Sequence, residues 1–350
     1  MKSARTGAFL LERFIISVST YRQWPGGGGA GRRGELLRQP ALAAACLAHD
    51  IGNPAFGHSG EKAISAYFID NANTTIEGQP LKDYFSQNEW QDLTTFEGNA
   101  NAFRILTHSF RGRFRGGFGL TYTTLASILK YPCESIAVDK KFMHRKKYGF
   151  FQSEIKTVEL LATELHMIEE SKMPLIYKRH PFVYLVEAAD DICYSIVDME
   201  DAHRLGILRK EEVAEAFINV IQAVLAGSED VDKIRRYFKD LTDSNEAIAY
   251  LRAKVINALT NRSAEIFMAN TDFILQGNYN NTLVDQMNEE SSALKQIQQI
   301  SIEKIYNHDT VIEIEIAGFN VMSELLQLLV PALLKKKPSA KEEKVLKLFP

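Results

Sequence analysis

The pair His49-Asp50 stands where a run of mostly small residues, Ala41 to Ala48, gives way to Gly52-Asn53-Pro54. An imidazole next to a carboxylate at a chain bend can converge on one divalent cation, although a surface His beside an Asp looks the same. The neighbours add weight. His58 and Glu61 follow at once, spaced so that a turn carrying the histidine runs into a helix that lifts the glutamate beside it. A carboxylate that orients an imidazole poises a general acid or base near neutral pH; a helix-start His with a first-turn Glu that favours the helix dipole is the plainer reading.

A second set lies in PFVYLVEAADDICYSIVDMEDA, Pro181 to Ala202. Asp190, Tyr194 and Asp198 recur at intervals of four and share one helix face, among Val186, Ala189, Ile192, Cys193, Ile196 and Val197. Carboxylates on so apolar a helix are costly to bury unless paired or bound to a cation. That leaves a metal carboxylate at Asp190 with a polar stripe below it for a ligand, or a structural ion-pair stripe to Arg or Lys. Spacing does not separate Asp190 from Asp191. A third group is basic and aromatic: Lys130-Tyr131, and Arg145-Lys146-Lys147 running into Tyr148-Gly149. Such cations could hold a polyphosphate through charge-assisted donors, or form a solvated charge run.

The elements that must position these groups read as helices from Pro40 onward, with the proline at a helix start. Further helices are expected near Gly60 to Ile69, Phe96 to Thr107, Tyr122 to Leu129, Ser153 to Glu169, Pro181 to Ala202, Lys210 to Leu225 and Ser244 to Leu259. The alternation in Asp309 to Ile316 suggests a short strand leading into a helix from Val321. Strands alternating with helices are lacking, which excludes a doubly wound sheet and makes the fold class mainly α.

Composition narrows the classes. A formal charge of -3 over 350 residues gives no global pull toward nucleic acid or an anionic membrane. The three cysteines, Cys46, Cys133 and Cys193, are far apart and show no CxxC spacing, which fits a reducing cytoplasmic setting rather than a disulfide framework or a thiolate zinc site. No uninterrupted apolar run reaches the roughly 20 residues of a membrane span, so no membrane partner is expected. Residues 1–39 stand apart: they are rich in Lys and Arg, carry only Glu12 and Glu35 as acids, and contain the run Gly26 to Gly29. An atypical, aberrant or poorly ordered start is expected there.

Five segments in order resemble one family: AHDIGNPAFGHSGE (Ala48 to Glu61), FEGNANAFRIL (Phe96 to Leu106), LTYTTLASILKYP (Leu120 to Pro132), KYGFFQSE (Lys147 to Glu154) and VEAADDICYSIVDMEDA (Val186 to Ala202). The chain is similar to the bacterial deoxyguanosinetriphosphate triphosphohydrolases (dGTPases) of the HD superfamily, which release triphosphate from a deoxynucleoside triphosphate in one step. The resemblance implies an HD-domain helical bundle over 40–205, with additional C-terminal helices over 206–350 and little or no strand. It makes His49, Asp50 and Asp190 metal ligands, and His58 and Glu61 the catalytic pair. Lys130, Tyr131 and Lys147 become phosphate-contacting groups, and Tyr194 and Asp198 the groups that recognise the sugar 3′-hydroxyl. The cofactor is a divalent metal, with Mn, Mg, Fe and Zn not distinguishable by this donor set. Its partners would be a deoxynucleoside triphosphate substrate, further copies of itself in a homo-oligomer, often a hexamer, and single-stranded nucleic acid. The family also takes one more histidine upstream of the HD pair and a closing helical segment beyond the point this sequence reaches; here the first histidine is His49. A catalytically weak or inactive HD-fold protein, and another HD-type nucleotide phosphohydrolase, are therefore the alternatives to an active dNTP triphosphohydrolase.

Overall fold

The computed structural model describes residues 32–109, 112, 116–225 and 230–348. The expectation for residues 1–39 therefore lies outside the described residues as far as residue 31. In chain order the helices are α1 (Arg32–Ala48), α2 (Gly57–Asp70), α3 (Gln87–Thr94), α4 (Gly98–Thr107), α5 (Tyr122–Ile128), α6 (Ile155–Glu164) and α7 (Pro181–Arg204). They continue with α8 (Lys210–Val224), α9 (Asp230–Asp240), α10 (Ser244–Ala269), α11 (Thr271–Leu275), α12 (Leu283–Glu290), α13 (Ala293–Ile300), α14 (Asp309–Leu334) and α15 (Ala340–Leu346). Among the described residues, strands occur only as two antiparallel hairpins, β1 (Thr75–Ile76) with β2 (Gln79–Pro80) and β3 (Glu169–Lys172) with β4 (Leu175–Tyr177). The register pairs Ile76 with Gln79 and Ser171 with Ile176, with a bulge between Glu169 and Ser171. The protein is mainly α.

The chain divides into two compact units that are interleaved along the sequence. The first comprises Met1–His49, Thr121–Lys130 and Lys178–His308. Its centre is α7, against which α1, α5, α10, α12 and α13 pack. Pro181 occupies the first turn of α7, where its missing N–H loses nothing, and the His180 side chain accepts from Phe182 N. Helix α10 is capped by Asp243, which accepts from Glu246 N at 2.7 Å, and buries Leu251, Val255, Leu259 and Phe267.

The second unit comprises Asp50–Leu120, Tyr131–Tyr177 and Asp309–Pro350. Here α14 packs along α2, and Tyr67, Phe68, Ile76, Leu81 and Val330 form a buried cluster flanked by Phe85 and Trp90. A second cluster joins Ala100, Cys133, Ala137, Tyr148 and Ile176.

Three expectations need correction. Helix α1 begins at Arg32 and holds Pro40 in its interior; Glu35, Leu36, Leu37 and Gln39 are good helix formers that carry it across the proline, at the loss of one hydrogen bond. The helix expected to reach Glu169 stops at Glu164, and His166 takes a left-handed φ of 51° before β3. The expected strand at Asp309 to Ile316 is the first third of α14. Alternating Ile and Glu residues suit a strand only where a neighbouring strand accepts their backbone bonds; α14 satisfies them internally and meets α2 through Gly318, where any side chain would strike Phe56. By length and composition alone, α14 is also long and apolar enough to cross a membrane, a property its scattered acids conceal when only uninterrupted apolar runs are counted.

Candidate functional site

Within the first unit, the last turn of α1 delivers His49. Its N–H donates to Ala45 O at 2.9 Å, and its ring Nδ1 lies 2.8 Å from Cys46 O. A carbonyl only accepts, so Nδ1 carries a proton and Nε2 is the atom that can ligate a metal. That Nε2 lies 3.2 Å from Asp190 Oδ1 on α7. Asp50 is joined to His49 by the peptide bond, and its exposed carboxylate accepts from Asn53 Nδ2 at 3.0 Å. One ligand atom from each of His49, Asp50 and Asp190 lies within 4.8 Å of the others. One imidazole nitrogen and two carboxylate oxygens make a donor set that fits a divalent cation. Burial alone would push the Asp190 carboxyl up, but the hydrogen bond and charge of His49, with Lys130 beyond, hold it below its ordinary value.

The rest of the α7 stripe divides by role. Glu187 is buried, takes a two-nitrogen grip from Arg179 at 2.8 and 3.3 Å, and pairs with Lys130 Nζ at 3.3 Å. Arg179 Nε also donates to Lys130 O at 2.9 Å, which fixes the chain just after α5. Asp191 takes a different course from its neighbour Asp190: burial pushes it up to about 7, with Glu187, Asp190 and Asp285 adding to the effect against the opposing charge of Lys130. Lower on the helix, the exposed Tyr194 ring stacks on Tyr306, centroids 5.6 Å apart. The Tyr306 hydroxyl donates to Asp198 Oδ2 at 2.8 Å. A π-helical turn, Ser301–Tyr306, presents that tyrosine; such turns are frequent at functional sites. Asp198 is raised by burial, an effect the Tyr306 hydrogen bond partly offsets.

In the second unit, the turn after Asp50 is held by Asn53 N donating to Asp50 O and Asn101 Nδ2 donating to Gly52 O. It leads into α2, whose first turn carries His58. Nδ1 of His58 lies 2.7 Å from Glu61 Oε2, and Glu61 Oε1 accepts from Gly98 N–H at 2.8 Å. The Glu61 hydrogen bond raises the His58 imidazole above its ordinary value, against the opposing effect of burial. Burial would raise Glu61 in turn, but the bonds from His58 and Gly98 leave it lowered. Lys147 Nζ pairs with Glu97 Oε2 at 2.7 Å, and the buried Tyr131 lies within electrostatic range of it. Of the residues expected to contact phosphate, Lys130 thus sits with Glu187 in one unit, while Tyr131 and Lys147 share the other.

No family model matches the chain. A deoxyguanosinetriphosphate triphosphohydrolase-like protein of Synechocystis sp. is 37% identical over 306 residues, covering 86% of this chain and 66% of that protein. One of Pseudomonas aeruginosa is 33% identical over 337 residues, covering 91% of this chain and 73% of that protein. The chain belongs to the deoxyguanosinetriphosphate triphosphohydrolase family. The family's Yersinia pestis deoxyguanosinetriphosphate triphosphohydrolase is 30% identical over 321 residues, 83% of this chain and 61% of that protein. The chain therefore spans about two thirds of the length of the relatives it matches.

In this member of the triphosphohydrolase family, residue spacing left Arg179, Glu187, Glu97 and Tyr306 unassigned. Glu187 carried a signal, since an acid on so apolar a helix requires a partner, but Arg179 could not be identified as that partner. Tyr306 carried none: it lies 108 residues from the aspartate it bonds.

Proposed function

We propose that this chain is a divalent-metal-dependent hydrolase of deoxynucleoside triphosphates, with dGTP as the reference substrate, releasing deoxynucleoside and triphosphate. The observation that carries this reading is the convergence of His49, Asp50 and Asp190 on a donor set that fits a cation. The names of the relatives support the reaction class. When bound, a divalent cation supplies Lewis-acid polarisation of a phosphoryl oxygen and lowers the pKa of nearby water.

The side chains have separable tasks. His49, Asp50 and Asp190 hold the cation. The Nδ1 of His58 is engaged by Glu61, so Nε2 is the atom that exchanges a proton with the reacting oxygens, and Glu61 fixes the ring and supports its charged form. Lys130, Tyr131 and Lys147 meet the triphosphate. Tyr194 and Asp198 receive the 3′-hydroxyl, with the Tyr306 bond to Oδ2 leaving Asp198 Oδ1 to accept from it. A cytoplasmic location fits three buried cysteines that lie far apart in the sequence, and a homo-oligomer, up to a hexamer, and single-stranded nucleic acid are the partners the family resemblance brings.

A second reading, an HD-fold protein of weak or no turnover, is favoured by the ligand count: the group offers three protein ligands among the described residues. Incubation with each dNTP and Mn²⁺ or Mg²⁺, followed by chromatography of the products, tests both. Triphosphate with deoxynucleoside supports the first reading, pyrophosphate or orthophosphate indicates another HD-type phosphohydrolase, and no product with any metal supports the second.

A further inference from the structure

The segment Phe96-Glu97-Gly98-Asn99-Ala100 stands out in the sequence, and no catalytic task above uses it. We infer that Glu97 is a positioning residue: it holds the Lys147 ammonium beside the His58–Glu61 pair and yields it to a phosphate group of the substrate. This inference rests on the proposed hydrolysis for its substrate and on the structure for its geometry.

Consecutive residues at the start of α4 hold two charged partners. Glu97 is the N-cap, extended at φ -134° and ψ 124°. Its Oε1 accepts from Asn99 Nδ2 at 2.6 Å, which aims Oε2 at Lys147 Nζ, 2.7 Å away. The next N–H, that of Gly98, holds Glu61 Oε1. A Cβ at Gly98 would come within 2.7 Å of Glu61 Oε1 and 2.5 Å of Asn53 Oδ1, so the position admits no side chain without displacing the catalytic carboxylate. One backbone step thus couples the Lys147 counter-ion to the acid–base pair.

The two ends of the ion pair differ in their access to water. The Glu97 side chain is 7% exposed and that of Lys147 36%. An ammonium at the rim can turn toward an incoming anion while the carboxylate stays buried, and a buried carboxylate deprived of its cation is unfavourable. Glu97 therefore keeps Lys147 in place between turnovers and weakens its hold on any anion. The charged groups facing His58 are Glu61 on its own helix, Glu97 at the α4 cap and Lys147 on the segment before Tyr148.

The test uses the full chain, its Glu97→Gln, Lys147→Met and doubly substituted variants, inorganic tripolyphosphate as the anion, and NMR titration of the His58 ring. Gln keeps an acceptor for Asn99, so the cap survives, and thermal denaturation checks folding. Glu97→Gln should bind tripolyphosphate several-fold more tightly and move the His58 midpoint to lower pH. Lys147→Met should bind roughly tenfold more weakly and move the midpoint up. In the Lys147→Met background the Glu97 effect on affinity should vanish. An unmoved His58 midpoint in a folded Glu97→Gln protein, an equal Glu97 effect in both backgrounds, or no tripolyphosphate binding by the parent overturns the inference. Loss of dNTP hydrolysis in the parent with these shifts intact would instead remove the proposed reaction and leave the Glu97 role standing.

Discussion

Arg179 grips the Glu187 carboxylate with two guanidinium nitrogens, at 2.8 and 3.3 Å, where both side chains are almost wholly shielded from water. Burial would raise Glu187, but the charges of Arg179 and Lys130 outweigh it and hold the carboxyl below its ordinary value. The pair ties the segment before α7 to the helix one residue-stripe above Asp190, and it fixes Lys130 through its backbone oxygen as well as its ammonium.

Breaking that pair from the arginine side leaves the buried Glu187 carboxylate with only the more exposed Lys130 to compensate it. Arg179→Met should lower unfolding stability by about 3–5 kcal/mol, measured by urea denaturation, whereas the double substitution Arg179→Met with Glu187→Leu should recover much of the loss. Lys130→Met, at the more exposed end, should be far milder. Equal effects of Arg179→Met and Lys130→Met would show that the guanidinium is not the principal partner.

His58→Ala should lower dNTP turnover by roughly a hundredfold or more without changing metal content, and Glu61→Gln should do so less severely. Because the Glu61 bond raises His58, Glu61→Gln should also shift the pH–rate limb of the imidazole toward lower pH. Kinetics over pH 5 to 9 with metal analysis on each variant provide the check. Metal lost in step with activity would place His58 among the ligands instead.

The two adjacent aspartates of α7 should part company. Asp190→Asn should strip the bound cation, because the carboxylate facing His49 is replaced by a weaker amide ligand. Asp191→Asn should leave metal stoichiometry unchanged. Elemental analysis after dialysis reads both, and equal loss from the two variants would remove the assignment.

Asp92 on α3 gives a pH-dependent stability of known sign. It is buried, its Oδ2 accepts from Gln152 N at 2.8 Å, and burial, with Glu134 and Glu154 near, pushes it up to about 6 from 3.8. Between those values the folded state holds a proton that the unfolded chain has released, so this contribution is full below about pH 4 and is lost as pH rises through about 6. The span amounts to at most about 3 kcal/mol. Asp92→Asn should flatten the stability change between pH 5 and 7.5 and stabilise the protein by about 1–2 kcal/mol at pH 7.5. Denaturant melts at three pH values decide it; a parental slope in the Asn variant would refute the assignment.

The sequence by itself determined the helical class and the positions of most helices, because apolar periodicity is a local signal: the apolar run from Pro181 to Ala202 and the four-residue spacing of Asp190, Tyr194 and Asp198 depend only on neighbours along the chain. It also marked the HD turn and the His58–Glu61 pair, whose geometry is set within one helical turn. Tertiary structure decided what lies opposite those residues. Alternating Ile and Glu at Asp309 to Ile316 became helix because no strand stood beside them, and α2 offered a surface that Gly318 could approach. So apolar a helix calls for compensation of any buried acid, yet the pairing of Glu187 with Arg179 emerged only in the folded chain. Glu97 and Tyr306 reach Lys147 and Asp198 across 50 and 108 residues of sequence. Over such separations, pairing is chosen by packing and burial rather than by local propensity, and no spacing rule encodes it.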